Sequence, residues 1–142
     1  MNVSRFRGGV AELGPLVAAS QAEGFGFVAR LAEELARGRF DLPNAILFGA
    51  YDGDTLLGVG GLTPDPYTHD DTSVGRLRHL YVLPCYRRQG VAKALVTVII
   101  AAGRQPNRVL RLGTTNPEAD LFYLTLGFVG VTDPDATHVL TL

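Results

Sequence analysis

The sequence predicts an α+β fold, with a mixed and mostly antiparallel central sheet that carries one parallel strand-helix-strand pair in its second half. Three observations lead there. Apolar runs at 45–51 and 55–62 flank Asp52, Gly53 and Asp54, a hairpin turn signal, so the early strands are antiparallel. Residues 75–82, 89–102 and 108–115 read as strand, helix and strand, and a helical crossover joins parallel neighbours. The 142 residues suffice for one core, and we expect a single domain over 1–142.

In chain order, residues 3–6 form a short first strand, and Leu13, Leu16 and Val17 mark one side of a helical region that Gly24 and Gly26 interrupt. Phe25, Val28, Leu31 and Leu35 then recur at helical spacing, and Gly38 stands where a helix stops. After the hairpin, residues 65–71 carry prolines and acids that suit neither periodicity, so an exposed loop is expected. Pro84 ends the fourth strand. Val91, Leu95, Val98, Ile99 and Ala102 line one face of the helix over 89–102, with Gly103 and Pro106 as its stop signals. Asn116, Pro117 and Glu118 supply a cap, a first-turn proline and an early acid for a last helix ending at Gly127. Strands at 128–131 and 137–142 complete the sheet.

Composition narrows the function classes. Hydrophobic residues make up 46% and charged residues 19%, a globular balance. A formal net charge of −1 gives no overall pull toward nucleic acid or an anionic membrane, and neither is expected as a partner. Cys85 is the only cysteine, which excludes an internal disulfide and a multi-cysteine metal site and agrees with a reducing cytoplasm. No metal is expected. Arg5 and Arg7 ahead of Val10, Leu13, Leu16 and Val17 have the outline of an export leader, but Glu12, Gly14 and Pro15 break the apolar stretch. The most apolar run, 91–102, contains Lys93 and is far short of the roughly 20 residues a membrane span needs.

Residues 80–92 hold the chemistry: the end of a strand, a basic turn with Arg87, Arg88, Gln89 and Gly90, and a helix start with Val91 and Ala92. Free N–H groups at a helix N-terminus, together with its dipole, form an anion site. Gly90 lets phosphate approach the backbone, Ala92 keeps the next turn small, and the arginines can add charge-assisted hydrogen bonds. An arginine-bearing loop capping an ordinary helix has the same pattern. What sets this stretch apart is its company: a strand before it, a parallel strand after it, then Asn116, then Phe122 and Tyr123 ahead of Leu126, Gly127 and Phe128.

On these residues the chain resembles the GNAT superfamily of acyl-CoA-dependent N-acetyltransferases. Arg87, Gly90 and Ala92 match its Arg/Gln-x-x-Gly-x-Gly/Ala phosphate turn, and residues 122–128 match its Phe-Tyr-x-x-x-Gly-Phe run. The resemblance implies helices on both sheet faces and acetyl-CoA as co-substrate, with a small-molecule or peptide amine as acceptor. It also implies that the backbone of Leu80, Tyr81 and Val82 pairs with the pantetheine arm like an added strand. Asn116 would bind the same arm, the turn from Arg87 through Arg88, Gln89, Gly90 and Val91 to Ala92 would hold the pyrophosphate, and a backbone N–H such as that of Val82 would stabilise the developing oxyanion.

The same resemblance puts Tyr123 near the leaving sulfur as general acid. A phenol of pKa about 10 protonating a thiolate of pKa about 8.5 is uphill by roughly 2 kcal/mol, which water exclusion can offset. Tyr123 as a packing residue and Asn116 as a helix cap remain the alternatives. The base is harder to place, since freeing a lysine-like amine of its proton at neutral pH costs about 4 to 5 kcal/mol. Some relatives carry a glutamate on the fifth strand, where this chain has Arg111. His79 is the local choice by pKa, set against a structural strand histidine; His69, His138 and Cys85 are not assigned catalytic roles. Asp65, Asp70 and Asp71 are expected either to draw a cationic amine or to solvate their loop. A non-catalytic acyl-CoA-binding domain is the second hypothesis. A homodimer is left open by the apolar content and by an exposed edge expected at the last strand.

Overall fold

The computed structural model describes residues 1–68, 70–105 and 107–142, so the parts of the sequence reading that concern His69 and Pro106 lie outside the described residues. Seven strands form one sheet: β1 (Asn2–Arg5), β2 (Ile46–Asp52), β3 (Thr55–Pro64), β4 (Val74–Val82), β5 (Val109–Leu112), β6 (Val129–Asp133) and β7 (Ala136–Thr141). Their order is β1-β2-β3-β4-β5-β7-β6, and every neighbouring pair is antiparallel except β4 and β5. The parallel pair follows from the crossover helix α3 (Val91–Gly103). The other helices are α1 (Gly14–Ala22), α2 (Phe27–Ala36) and α4 (Pro117–Thr125).

Alternation along the strands sends side chains into two cores. On one face Phe48, Leu62, Leu77 and Leu110 pack against Leu95, Val96 and Ile99 of α3 and Tyr123 of α4. On the other, Leu47, Leu56, Val59 and Tyr81 pack against Leu16 of α1 and Val28 and Leu31 of α2. The sheet thus has helices on both faces. Its close approach to α3 needs Gly60, where an added Cβ would stand 2.9 Å from Ile99 Cδ1.

Several boundaries differ from the sequence reading for local reasons. Phe25 lies ahead of α2 and is 42% exposed, because the helix starts only at Phe27. Helix α3 begins at Val91 rather than at residue 89, since Arg88 (φ 62°) and Gly90 (φ 82°) are left-handed and cannot continue a right-handed turn. Its buried face is Val91, Leu95, Val96 and Ile99, with Val98 and Ala102 at the margin. The expected edge at the last strand is overturned: β7 lies between β5 and β6, so the described edges are β1 and β6. No described helix is long and apolar enough to cross a membrane.

Candidate active site

The parallel pair is short. β4 and β5 are in register only from Val74, Gly75 and Arg76 to Val109, Leu110 and Arg111, after which the strands part. A bulge drives β4 away: the β3 register shifts between Val59 and Gly61, and His79 adopts φ 60°, rare for a residue with a side chain. Beyond Leu77, β4 keeps β3 on one side and turns its other edge to a cleft of about 1310 Å³. Leu80, Tyr81 and Val82 line that cleft, and Asn116, Phe122 and Tyr123 line it as well.

The cleft runs to the start of α3. A 3-10 turn at Pro84–Tyr86 leads through Arg87 and Arg88 to Gly90, the N-cap, which offers no side chain to the first-turn N–H groups. No acid stands in that turn either. These donors therefore keep their capacity for an outside anion. An added Cβ at Gly90 would meet nothing within 4 Å, so the glycine is required by its φ of 82° and borders open space. Val91 is buried, Ala92 half-buried, and Arg88, Gln89 and Cys85 are exposed. Gln89 Nε2 donates to the Cys85 carbonyl at 3.3 Å.

Arg87 is engaged within the protein. Its Nη1 and Nη2 donate to the two oxygens of Glu23, each at 2.7 Å, and its Nε donates to the Val82 carbonyl at 3.0 Å. This fork ties the end of α1 to the turn. The Arg87 hydrogen bond lowers the Glu23 carboxyl below its ordinary range. The Tyr81 hydroxyl donates to Glu23 at 2.6 Å, and burial, with that bond, pushes its pKa up to about 12.

Tyr123 is 5% exposed, its ring between Phe122 at 5.1 Å and Phe128 at 5.4 Å, with His138 at 5.8 Å. Burial raises its pKa well above the ordinary phenol value, so the hydroxyl stays protonated at neutral pH. That hydroxyl has no hydrogen-bond partner among the described residues. Asn116 performs the cap expected of it, its Oδ1 accepting from the Glu118 N–H at 3.0 Å. His138 bridges β7 to α4, with Nε2 2.6 Å from Asp120 Oδ1.

On the α2 face of β4 stands His79, its side chain 7% exposed. Nε2 lies 2.8 Å from Glu34 Oε2, a contact too misaligned to be a hydrogen bond, and the buried nitrogen has no other hydrogen-bond partner among the described residues. Burial first, then Arg78, lowers its pKa to about 4 against the pull of Glu34. Such a base falls roughly 9 kcal/mol short of deprotonating an ammonium of pKa about 10.4.

Asp65 departs from expectation. Its side chain is fully buried, accepting from Arg76 Nη1 and Arg111 Nη1, each at 3.1 Å, and from the Thr68 hydroxyl at 2.6 Å. A carboxylate so saturated cannot draw an amine from solvent. Asp71 is held by Ser73, and Asp70 is exposed. Arg111 also donates to Asp133 at 2.9 Å. The roles of Glu23, Glu34, Arg76 and Arg78 are absent from the sequence reading; the one available signal was Arg76 and Arg78 alternating across Leu77 in a strand. Among the described residues no group of three or more His, Cys, Asp or Glu side chains is placed to hold a metal ion.

The family model for the acetyltransferase (GNAT) family matches residues 17–128. No curated protein sequence matches the chain. Among solved structures, a candidate acetyltransferase from Exiguobacterium sp. 255-15 is similar at 30% identity and a TM-score of 0.87, the match covering 99% of this chain and 92% of that one. The PaiA N-acetyltransferase of Thermoplasma acidophilum, solved in complex with coenzyme A, shares the fold at 18% identity and a TM-score of 0.72 over 100% of both chains. The ribosomal-protein-alanine N-acetyltransferase of Brucella melitensis does so at 15% identity and 0.75, again over 100% of both.

Proposed function

The chain belongs to the GNAT acetyltransferase family, and on that premise we propose that it works as one domain that moves an acetyl group from acetyl-CoA directly to an amine. The observation that carries this reading is the parting of β4 and β5 beside an uncapped helix start. The freed β4 edge at Leu80, Tyr81 and Val82 pairs with the amides of the pantetheine arm, and Asn116 adds its side-chain amide to the same arm. The N–H groups at Gly90, Val91 and Ala92 take the pyrophosphate, with the exposed Arg88 as counter-charge. Arg87, already forked onto Glu23, holds the turn in place.

Transfer forms a carbon–nitrogen bond and breaks a carbon–sulfur bond. The Val82 N–H donates to the carbonyl oxygen as it gains charge. Tyr123, kept protonated by its burial, gives its proton to the departing thiolate, and water carries away the proton of the amine. His79, proposed from sequence as a base, is too weak by its surroundings for a lysine-like amine and takes a proton only from an acceptor that arrives neutral. The lone exposed Cys85 agrees with a reducing compartment such as the cytoplasm.

The weakness of His79 favours one other reading, a domain that binds acyl-CoA without turnover. Thermal shift with acetyl-CoA tests binding; at 100 times the dissociation constant, stability should rise by about 2.7 kcal/mol. Dephospho-acetyl-CoA should retain much of the shift and N-acetylcysteamine should not. Thiol release across a panel of amines tests transfer, and binding without release would select the second reading.

A further inference from the structure

The carboxylates on the α2 side of the cleft are used up, while its guanidinium groups are not. Glu34 is four residues after Arg30 on α2, where it is the natural ion-pair partner. Instead its oxygens go to β4, one 3.4 Å from Arg78 Nη2 and the other 2.8 Å from His79 Nε2. Arg30 is left exposed, with no carboxylate within 4.0 Å among the described residues. Asp65 has both oxygens engaged beneath Arg76 and Arg111. A guanidinium has five N–H donors. Arg76 donates one to Asp65 and lies 4.9 Å from the Tyr67 ring, and Arg78 donates one, long, to Glu34.

Arg30, Arg76 and Arg78 all line the cleft, whereas Glu34 and Asp65 do not. Of the acids that do line it, only Asp133 joins this network, and it does so through Arg111 rather than through Arg30, Arg76 or Arg78. Glu23 is forked with Arg87, Glu118 lies in the first turn of α4, and Asp133 and Asp135 flank the turn between β6 and β7, Asp133 tied to Arg111. His79, neutral near pH 7, adds no charge of its own. A cationic polyamine would meet like charge on this wall, and an acceptor with an anionic oxygen group would meet spare, forked donors.

We infer that the acceptor is a small amine that also bears an oxyanion, carboxylate or phosphate, and that Arg30 and Arg78, with Arg76, hold that oxyanion on the α2 side of the cleft. This rests on the acetyltransferase reading and names the acceptor class within it. The oxyanion anchors the molecule, and its amine turns toward the acyl carbon at the β4 edge.

The test measures the product state first, so that it does not depend on turnover. Protein saturated with coenzyme A, and protein without it, is titrated with N-acetylglutamate, N-acetyl-O-phosphoethanolamine, the neutral N-acetylglutamine amide and N-acetylputrescine, with melting temperature as readout. The two oxyanion compounds should raise it and the other two should not; the ratio between the first two tells carboxylate from phosphate. Arg78→Gln and Arg30→Gln should each abolish most of that shift and lower kcat/KM for the matching free amine at least tenfold, mainly through KM, with acetyl-CoA stabilisation intact. Equal or larger shifts from the neutral or cationic compounds, or no shift from any, would overturn the inference. Failure of acetyl-CoA itself to stabilise the protein would count against the coenzyme reading, and the coenzyme-free titration would still decide the oxyanion site.

Discussion

At the α3 end of the cleft the free polar groups are backbone N–H donors of one helical turn, with neither cap nor acid beside them, whereas the α2 side presents guanidinium groups whose carboxylate partners come from α2, the loop after β3 and β6. The first arrangement is local. Its donors arise from the helix end itself and survive most changes elsewhere in the chain. The second is a coupled network, in which Asp65 serves Arg76 and Arg111 together and Glu34 serves Arg78 and His79 together. Removing one member leaves another buried and unmatched. The helix end can therefore stay constant while the charged side is retuned for different acceptors, but only by compensated changes.

The largest effect is expected at Tyr123, which lines the cleft and belongs to neither arrangement. Tyr123→Phe should lower turnover by about 10² to 10⁴, with acetyl-CoA affinity unchanged. Its hydroxyl has no partner among the described residues, so stability should hold, and retained turnover in a folded, coenzyme-binding variant would reduce Tyr123 to its packing role. Next comes the network. Asp65→Ala leaves Arg76 without a carboxylate and Arg111 with Asp133 alone, and should cost about 3 to 5 kcal/mol in urea unfolding. A loss below about 1 kcal/mol would show that water replaces Asp65 and that the α2 side is not coupled.

His79 gives the network a pH signature. Its folded pKa, about 4, lies below the ordinary histidine value of 6.5, so on acidification the unfolded chain takes up the proton first. Its contribution is intact above pH 6.5 and fades as pH falls toward 4, by up to a few kcal/mol. His79→Gln should flatten that part of the stability profile; an unchanged slope would assign it to other groups. The smallest effect separates geometry from ligand at the helix end. Gly90→Val should lose about 1 to 3 kcal/mol of stability, because a branched residue resists a φ of 82°. Gly90→Asn, which tolerates that conformation, should lose less while still weakening acetyl-CoA binding. Full affinity in the asparagine variant would remove Gly90 from the coenzyme site.

The sequence by itself determined what short-range rules govern. The hairpin at Gly53, the cap at Asn116, the succession of strands and helices along the chain and the turn before α3 all depend on residues within a few positions of one another, and they appear where expected. Even the left-handed Gly90 has a local cause, although the helix start it delays does not announce itself in an apolar pattern. Only the tertiary structure decided which face of β4 His79 takes, that Arg87 forks onto Glu23, and that Asp65 is buried beneath Arg76 and Arg111. Those pairs span 11 to 64 residues. A charge in a sequence carries no record of its distant partner, and whether an aspartate meets solvent or two arginines depends on burial that exists only once the sheet has closed around it.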